Sequence, residues 1–195
     1  MRILFSFLFI SLVTTTFAQY PVILSQREQA KVIDELLEDR VRTVLPTLMR
    51  REGFDMWVVI SSEYNEDPVI RTFLPATWFA ARRTTMLVMF DRGADKEIEC
   101  LAVSRYDVGK IFKRAWDPDS QPDQWAQLAK LIDERNPKKI GVNFSDHYGH
   151  ADGLTFSHHQ KMINALAKKH QGKVVSAEKL AVGWLETRTD REMII

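Results

Sequence analysis

Histidine is concentrated in one short segment of the chain. Residues 143–159 read NFSDHYGHADGLTFSHH and contain four of the five histidines, with Asp146 and Asp152 among them. Imidazole and carboxylate groups are common metal ligands and common acid–base catalysts, so this segment is the first candidate for a catalytic metal site. The alternative is a strand, a polar loop and a helix start that are rich in His for structural reasons.

The spacing of these histidines favours the structural alternative. A metal site needs several donor atoms that converge on one ion at about 2 Å. His158 and His159 are neighbours at a predicted helix start, so their side chains diverge by about 100°. His147 and His150 fall in the predicted loop, and the chain contains no HExxH or CxxC spacing. We therefore assign no catalytic, cofactor-binding or metal-binding residue to this chain.

A second polar segment follows the first apolar run. Residues 63–68 read EYNEDP, directly after residues 56–60, MWVVI. Open α/β sheets usually carry their ligands at the carboxyl ends of strands, which makes Glu63, Tyr64 and Glu66 candidate cleft-lining groups. Asp67 followed by Pro68 is typical of a helix N-cap and first helical position, so these two residues have a structural explanation.

The first residues of the chain resemble a secretory leader. Arg2 precedes an apolar run, and Thr16 and Ala18 are the small residues that suit signal-peptidase cleavage before Gln19. The run is shorter than the roughly 20 apolar residues of a membrane-spanning helix. We therefore predict a signal peptide at residues 1–18 and a periplasmic or secreted protein.

The composition excludes several classes of protein. Lys and Arg number 27 and Asp and Glu number 26, so no strong field favours nucleic acid or an anionic membrane. Cys100 is the only cysteine, so no internal disulfide can form. The fold must therefore be held together by its apolar core.

Local patterns predict a long first helix. Ser25 and Glu28 have the spacing of a capping box, and Gly53 suits the position after the last helical residue. Pro46 lacks an N–H group, so we expect a kink or break about one turn before it.

The rest of the chain alternates apolar runs with helical spacing. Strands are predicted at 56–60, 85–90, 96–104, 139–144 and 173–176, the second and third forming a hairpin. Helical spacing is seen near 106–112, at 125–132 before Asn136-Pro137, and at 155–170 before Gly172. This order predicts an α/β layered domain with a mixed β-sheet flanked by helices.

Five segments together resemble a known family in their order and spacing: LPTLMRREGFDMWVVISSEYNEDP, LPATWFAARRTTMLVMF, SRYDVG, IGVNFSDHYGHADGLT and GWLETRTDREM. They are similar to the N-terminal domain of the creatinase and Xaa-Pro aminopeptidase (prolidase-like, "pita-bread") metallopeptidases. The resemblance covers roughly residues 25–195. It implies a ribonuclease-H-like N-terminal domain at residues 19–182, followed at 183–195 by a linker and the start of a catalytic domain.

The resemblance also implies a function. In this family the catalytic domain holds two divalent metals, such as manganese, zinc or cobalt, on two Asp, one His and two Glu, none of which can be assigned to this chain. The N-terminal domain supports homo-oligomer formation and walls a cleft for short proline-containing peptides. Glu63, Tyr64, Trp78 and Arg82 are the candidates for facing that cleft.

Two other hypotheses remain open at the sequence level. The chain could be a stand-alone exported α/β binding or interaction module without enzymatic activity, or an enzyme that uses its own His-rich segment. Thr189 with Glu192 has capping-box spacing, which predicts that a further helix begins there. If a second domain normally covers this region, Trp184, Leu185 and the final residues should lack partners within the chain.

Overall fold

The computed structural model describes residues 23–194, so the predicted leader at residues 1–18 and the final Ile195 lie outside it. The α-helices in these residues are α1 Gln26–Arg51, α2 Gln124–Arg135, α3 Phe156–Ala165, α4 Lys168–Gln171 and α5 Glu178–Glu186. The strands are β1 Met56–Ser62, β2 Thr84–Phe90, β3 Glu99–Val103, β4 Lys113–Arg114, β5 Ile140–Val142 and β6 Val174–Ser176. Short 3-10 helices lie at Ile70–Thr72 and Gly149–Ala151.

The strands form one mixed sheet in the order β4–β3–β2–β1–β5–β6. The pairs β1–β2 and β2–β3 are antiparallel, and the second of them confirms the predicted hairpin. The pairs β3–β4, β1–β5 and β5–β6 are parallel. Val58 of β1 lies opposite Val88 of β2 on one side and opposite Val142 of β5 on the other. The predicted α/β layered domain is confirmed.

Side chains alternate between the two faces of the sheet, and helices cover both. Trp57 and Val59 face a cluster that contains Leu45 of α1 and Leu180 of α5. Val58, on the opposite face, belongs to a second cluster with residues of α2 and α3. Because both faces of β1 are buried, its sequence reads as a continuous apolar run.

Within residues 23–194, no helix has the length and apolarity required to cross a membrane.

Helix α1 begins and ends as predicted, but it does not break. Ser25 and Glu28 form the capping box, and Gly53 has φ +69° directly after the C-cap. Of the predicted kink or break, the break does not occur, because the helix continues through Pro46. Leu45 and Met49, on either side of the proline, are fully buried, and their packing against the sheet compensates for the one helical hydrogen bond that Pro46 cannot donate.

Two other predicted helices differ from the structure. Residues 106–112 form a loop, in which Val108 and Phe112 pair as an isolated β-bridge. The loop buries both side chains in the core without forming a helix. The predicted helix at 155–170 divides into α3 and α4. The amide of Gln171 donates to the carbonyl groups of Ile163 and Leu166, which ends α3 by satisfying carbonyls at its carboxyl end.

The prediction that Trp184 lacks a partner is wrong. Its ring is fully buried and stacks on Phe73 with 4.5 Å between the ring centroids. Its Nε1 donates to Thr72 Oγ1 at 2.7 Å, and the Arg40 guanidinium lies 4.3 Å from the ring centroid. Leu185 is half-buried against the same cluster. Helix α5 is therefore an integral part of the core.

Candidate functional site

The carboxyl ends of β1, β5 and β6 lie at one edge of the sheet because these strands are parallel. Strand β2 begins at the same edge, since Ser62 at the end of β1 pairs with Thr84. The loop after β1, the approach to β2 and the loop after β5 therefore meet there. This is the edge at which open α/β sheets usually bind ligands.

Glu63 and Arg83 are joined across this edge by two hydrogen bonds. The Glu63 N–H donates to the Arg83 carbonyl at 2.6 Å, and the Arg83 N–H donates to Glu63 Oε2 at 3.0 Å. The sequence favours a solvated basic pair at Arg82-Arg83 over a contact with a carboxylate, and both side chains are exposed. In the structure, it is the backbone of Arg83 that binds the Glu63 carboxylate.

Tyr64 is held in a strained and exposed position beside this pair. It has φ 68°, and Arg83 has φ 50°, a left-handed conformation that is uncommon for residues with a Cβ. The Tyr64 N–H donates to Glu66 Oε1 at 3.0 Å, and its side chain is 92% exposed. The turn therefore presents an aromatic ring to solvent on a well-anchored backbone.

Trp78 and Arg82 occupy the approach to β2. The Trp78 ring is half-buried and packs edge-on against Tyr106 with 5.7 Å between centroids. The Arg82 side chain is exposed, and its carbonyl accepts a hydrogen bond from Thr85 Oγ1 at 3.0 Å. Glu63, Tyr64 and Arg82 thus lie around one turn, whereas Trp78 contacts a different loop. Their assignment to a cleft remains a prediction.

A buried polar relay joins the loops that follow β1 and β5. Trp57 Nε1 donates to Asn143 Oδ1 at 2.8 Å, and Asn143 Nδ2 donates to Asp67 Oδ2 at 3.0 Å. Asp67 Oδ1 accepts the N–H of Val69 at 2.7 Å. The 3-10 helix that follows begins at Ile70 and has Val69 as its N-cap, so the predicted helix with Asp67 as its cap and Pro68 as its first residue is wrong. All three relay side chains are buried. The relay therefore fixes the two loops to each other and to the sheet.

The environment of Asp67 disfavours its charged form. Burial raises the pKa of its carboxyl group to about 6, although the hydrogen bonds from Asn143 and from backbone N–H groups act in the opposite direction. Nearby Asp152 raises this pKa further. Gly153 packs directly on the carboxyl group, since a Cβ at position 153 would lie 2.3 Å from Asp67 Cγ.

The loop histidines are separate from the helix histidines. His147 and His150 are exposed. Ser145 organises the loop, because its Oγ donates to Glu178 and accepts the N–H of His147 at 3.0 Å. Among residues 23–194, no three His, Cys, Asp or Glu side chains are grouped so that they could hold a metal ion.

His158 and His159 point to different surroundings. His158 is buried, with Nε2 3.1 Å from Ser62 Oγ, whereas the ring of His159 lies edge-on to Phe144 with 6.2 Å between centroids. His158 Nδ1 is the single buried side-chain N or O atom without a hydrogen-bond partner in the described part of the chain. Burial and the charge of Lys161 lower the pKa of His158.

Sequence reasoning missed the partnership between Asp67 and Asn143. It explained Asp67 as a cap and placed Asn143 at the end of a buried strand, without connecting them. The available signal was that both residues follow strands with apolar runs. If those strands are parallel neighbours, polar groups just beyond their carboxyl ends meet.

Comparison with known proteins gives a distant similarity of fold. No protein-family model matches the chain, and no curated protein matches it significantly. A solved structure of a Xaa-Pro dipeptidase from Bacillus anthracis aligns with a TM-score of 0.48 and 13% sequence identity. The alignment covers 88% of this chain and 39% of that dipeptidase, so the chain spans about two-fifths of its length.

Proposed function

We propose that this chain is the non-catalytic N-terminal domain of an exported Xaa-Pro metallopeptidase. The observation that carries the proposal is the contact between two segments of the sequence resemblance. Asp67 of EYNEDP binds Asn143 and packs on Gly153, both of which belong to IGVNFSDHYGHADGLT. These two segments thus have a shared structural role in this chain.

A third segment, GWLETRTDREM, supports the proposed link to a following domain. Arg40 of α1 donates to the carbonyl groups of Trp184 and Thr187 and forms an ion pair with Glu192 at 2.9 Å. Thr189 and Glu192 make the two hydrogen bonds of the predicted capping box, but residues 190–193 form a turn and not the predicted helix. These contacts anchor the chain just before the point at which, in this proposal, the catalytic domain follows.

In this proposal the chain contributes recognition and assembly rather than bond cleavage. Glu63, Tyr64, Trp78 and Arg82 would face a cleft that admits short proline-containing peptides, and other surfaces would support a homo-oligomer. The two divalent metal ions belong to the second domain, which would hydrolyse Xaa-Pro bonds. Export rests on the leader pattern in residues 1–18.

The first test is the reading frame beyond codon 195. We expect it to continue into a domain with two Asp, one His and two Glu as metal ligands. A stop codon directly after Ile195, with no such domain encoded nearby, would contradict the proposal and favour the stand-alone binding module.

The second test is activity. Purified chain should not hydrolyse a Gly-Pro dipeptide with added manganese or zinc, whereas the protein extended by the second domain should. Hydrolysis by the chain alone that disappears in both His150→Ala and His158→Ala variants would instead support an enzyme based on the His-rich segment.

A further inference from the structure

A cavity of about 490 Å³ lies beside β5 and β6, and the loop after β5 forms part of its wall. Its volume is in the range of small-molecule sites. It is formed by the end of α1, the residues on both sides of β5 and the start of α5. The side chains important for its chemistry are Phe54, Lys139, Phe144, Ser145, Glu178 and Lys179.

Two lysines line the cavity together with the acidic residues Glu52 and Asp146. Lys139 Nζ donates to the Glu52 carbonyl at 3.0 Å and lies 4.0 Å from the centroid of the Phe54 ring. Neither Lys139 nor Lys179 has a carboxylate oxygen within 4.0 Å in the part of the chain that the structure describes. An ammonium group has three N–H donors, so Lys139 retains donors for an anionic group.

Glu178 supplies a fixed negative group in the same cavity. Its Oε2 accepts a hydrogen bond from Ser145 Oγ, and that hydroxyl is itself held by the N–H groups of His147 and Tyr148. Glu178 Oε1 has no hydrogen bond within residues 23–194. One carboxylate oxygen is therefore oriented and still able to accept.

Two aromatic rings form the apolar part of the cavity. The Phe54 ring packs against the backbone of Gly141, where a Cβ would lie 3.0 Å from two ring atoms and from Ala177. The Phe144 ring is partly exposed and packs edge-on against His159. Phe54 is only 5% exposed and forms part of the cavity wall, so Phe144, which is 38% exposed, is the ring available to an apolar side chain.

We propose that this cavity binds an apolar α-amino acid in its zwitterionic form. Lys139 and Lys179 would bind the carboxylate, Glu178 Oε1 would accept from the α-ammonium group, and Phe144 would contact the side chain. The carboxylate of Glu178 disfavours a dianion such as phosphate, because like charges in one cavity repel. The proposal is independent of the peptidase function.

Isothermal titration calorimetry on the full chain would test it with three matched probes. Leucine carries both charges, 4-methylpentanoate lacks the ammonium group and 3-methylbutylamine lacks the carboxylate. We expect leucine to bind most tightly, and Lys179→Gln or Glu178→Gln to weaken its binding by about tenfold, as for a hydrogen bond to a charged group. Lys138→Gln, an exposed neighbour of Lys139, is the control and should leave binding unchanged.

The proposal would be overturned if leucine did not bind, or if either singly charged analogue bound as tightly. Equal weakening by Lys138→Gln would also overturn it, because the effect would then reflect net charge alone. Lys179 is exposed and makes no hydrogen bond in the described residues, so its variant tests binding without threatening the fold. A thermal unfolding midpoint for each variant verifies this.

Discussion

Asp67 is a buried carboxyl group whose protonation is coupled to folding. Its pKa is about 6 in the folded protein and 3.8 for the unperturbed group, so the folded state holds the proton more tightly. Its stabilising contribution is therefore complete below the unfolded value and is lost as the pH rises through about 6. The difference between these two pKa values corresponds to roughly 3 kcal/mol in the free energy of unfolding.

We expect the Asp67→Asn variant to lose this dependence, because an amide does not titrate. Urea unfolding of the wild type and the variant between pH 4 and 7 would measure how the free energy of unfolding of each depends on pH. The free energy of unfolding of the wild type should fall relative to the variant as the pH rises. A constant difference across this range would show that Asp67 has an ordinary pKa.

Gly153 offers a steric test of the same relay. Gly153→Ala places a Cβ 2.3 Å from Asp67 Cγ and 2.7 Å from its Cα, so the two loops must move apart. We expect a loss of about 2–3 kcal/mol in the free energy of unfolding, typical of overpacking. Gly149→Ala is the matched control, since nothing lies within 4 Å of its Cβ position, and it should be nearly neutral.

At the scale of elements, His158 connects α3 to the end of β1 through Ser62. Its pKa is lowered, so the folded state favours the neutral ring. This contribution to stability is present above the unfolded pKa of 6.5 and is lost as the pH falls through the lower folded value, the opposite sign to Asp67. Protonation would also leave the partnerless Nδ1 as a buried donor.

We therefore expect wild-type stability to fall below pH 6.5 relative to His158→Gln, which can still hydrogen-bond Ser62 but does not titrate. Chemical denaturation at several pH values between 5 and 7.5 would measure this. His150→Gln, at an exposed loop position, should leave the pH dependence unchanged. An equal change in both variants would argue against a specific role for His158.

Arg40 is the connection between α1 and the segment that follows α5. It is buried, stacks on Trp184 and pairs with Glu192. Arg40→Met would leave the Glu192 carboxylate and two carbonyl groups without their partner, so we expect a loss of about 3–5 kcal/mol in the free energy of unfolding. Arg42→Met, which breaks the exposed pair with Asp39, should cost less than about 1 kcal/mol.

Patterns within one element were predicted well from the sequence. The capping box at Ser25, the turn at Gly53 and the strands β1 and β2 depend on residues close together in the chain. The position of Glu63 and Tyr64 after β1 followed from the same information. Their local geometry could not be predicted in this way. Tyr64 adopts its left-handed backbone conformation beside the hydrogen bonds between Glu63 and Arg83, which are 20 positions apart in the chain.

The errors arose where tertiary contacts override local preference. Phe112 has helical spacing with its neighbours, but its burial beside Phe73 needs no helix. Asp67 and Asn143 are 76 positions apart, and Arg40 reaches Trp184 across 144. Such pairs depend on strand order and helix placement, which one sequence does not specify.

At the scale of the whole molecule, α5 belongs to the same apolar cluster as α1 and one face of the sheet. Trp184 is central to that cluster, since it contacts Phe73, Thr72 and Arg40. The cluster therefore extends beyond residue 182. We expect the amides of α5 to be protected in hydrogen exchange to nearly the same degree as those of β1 and β2.

Truncating the Trp184 ring should destabilise the whole molecule. We expect Trp184→Ala to lower the free energy of unfolding by about 3–5 kcal/mol, because it removes a fully buried ring and leaves a cavity against Phe73. The matched control is the double variant Met193→Ser with Ile194→Ser, whose side chains are 74% and 85% exposed and should contribute within about 0.5 kcal/mol. Urea unfolding followed by circular dichroism would compare them. If Trp184→Ala lowered the free energy of unfolding no more than the double variant does, α5 would contribute little to the core and would depend on a separate domain for its stability.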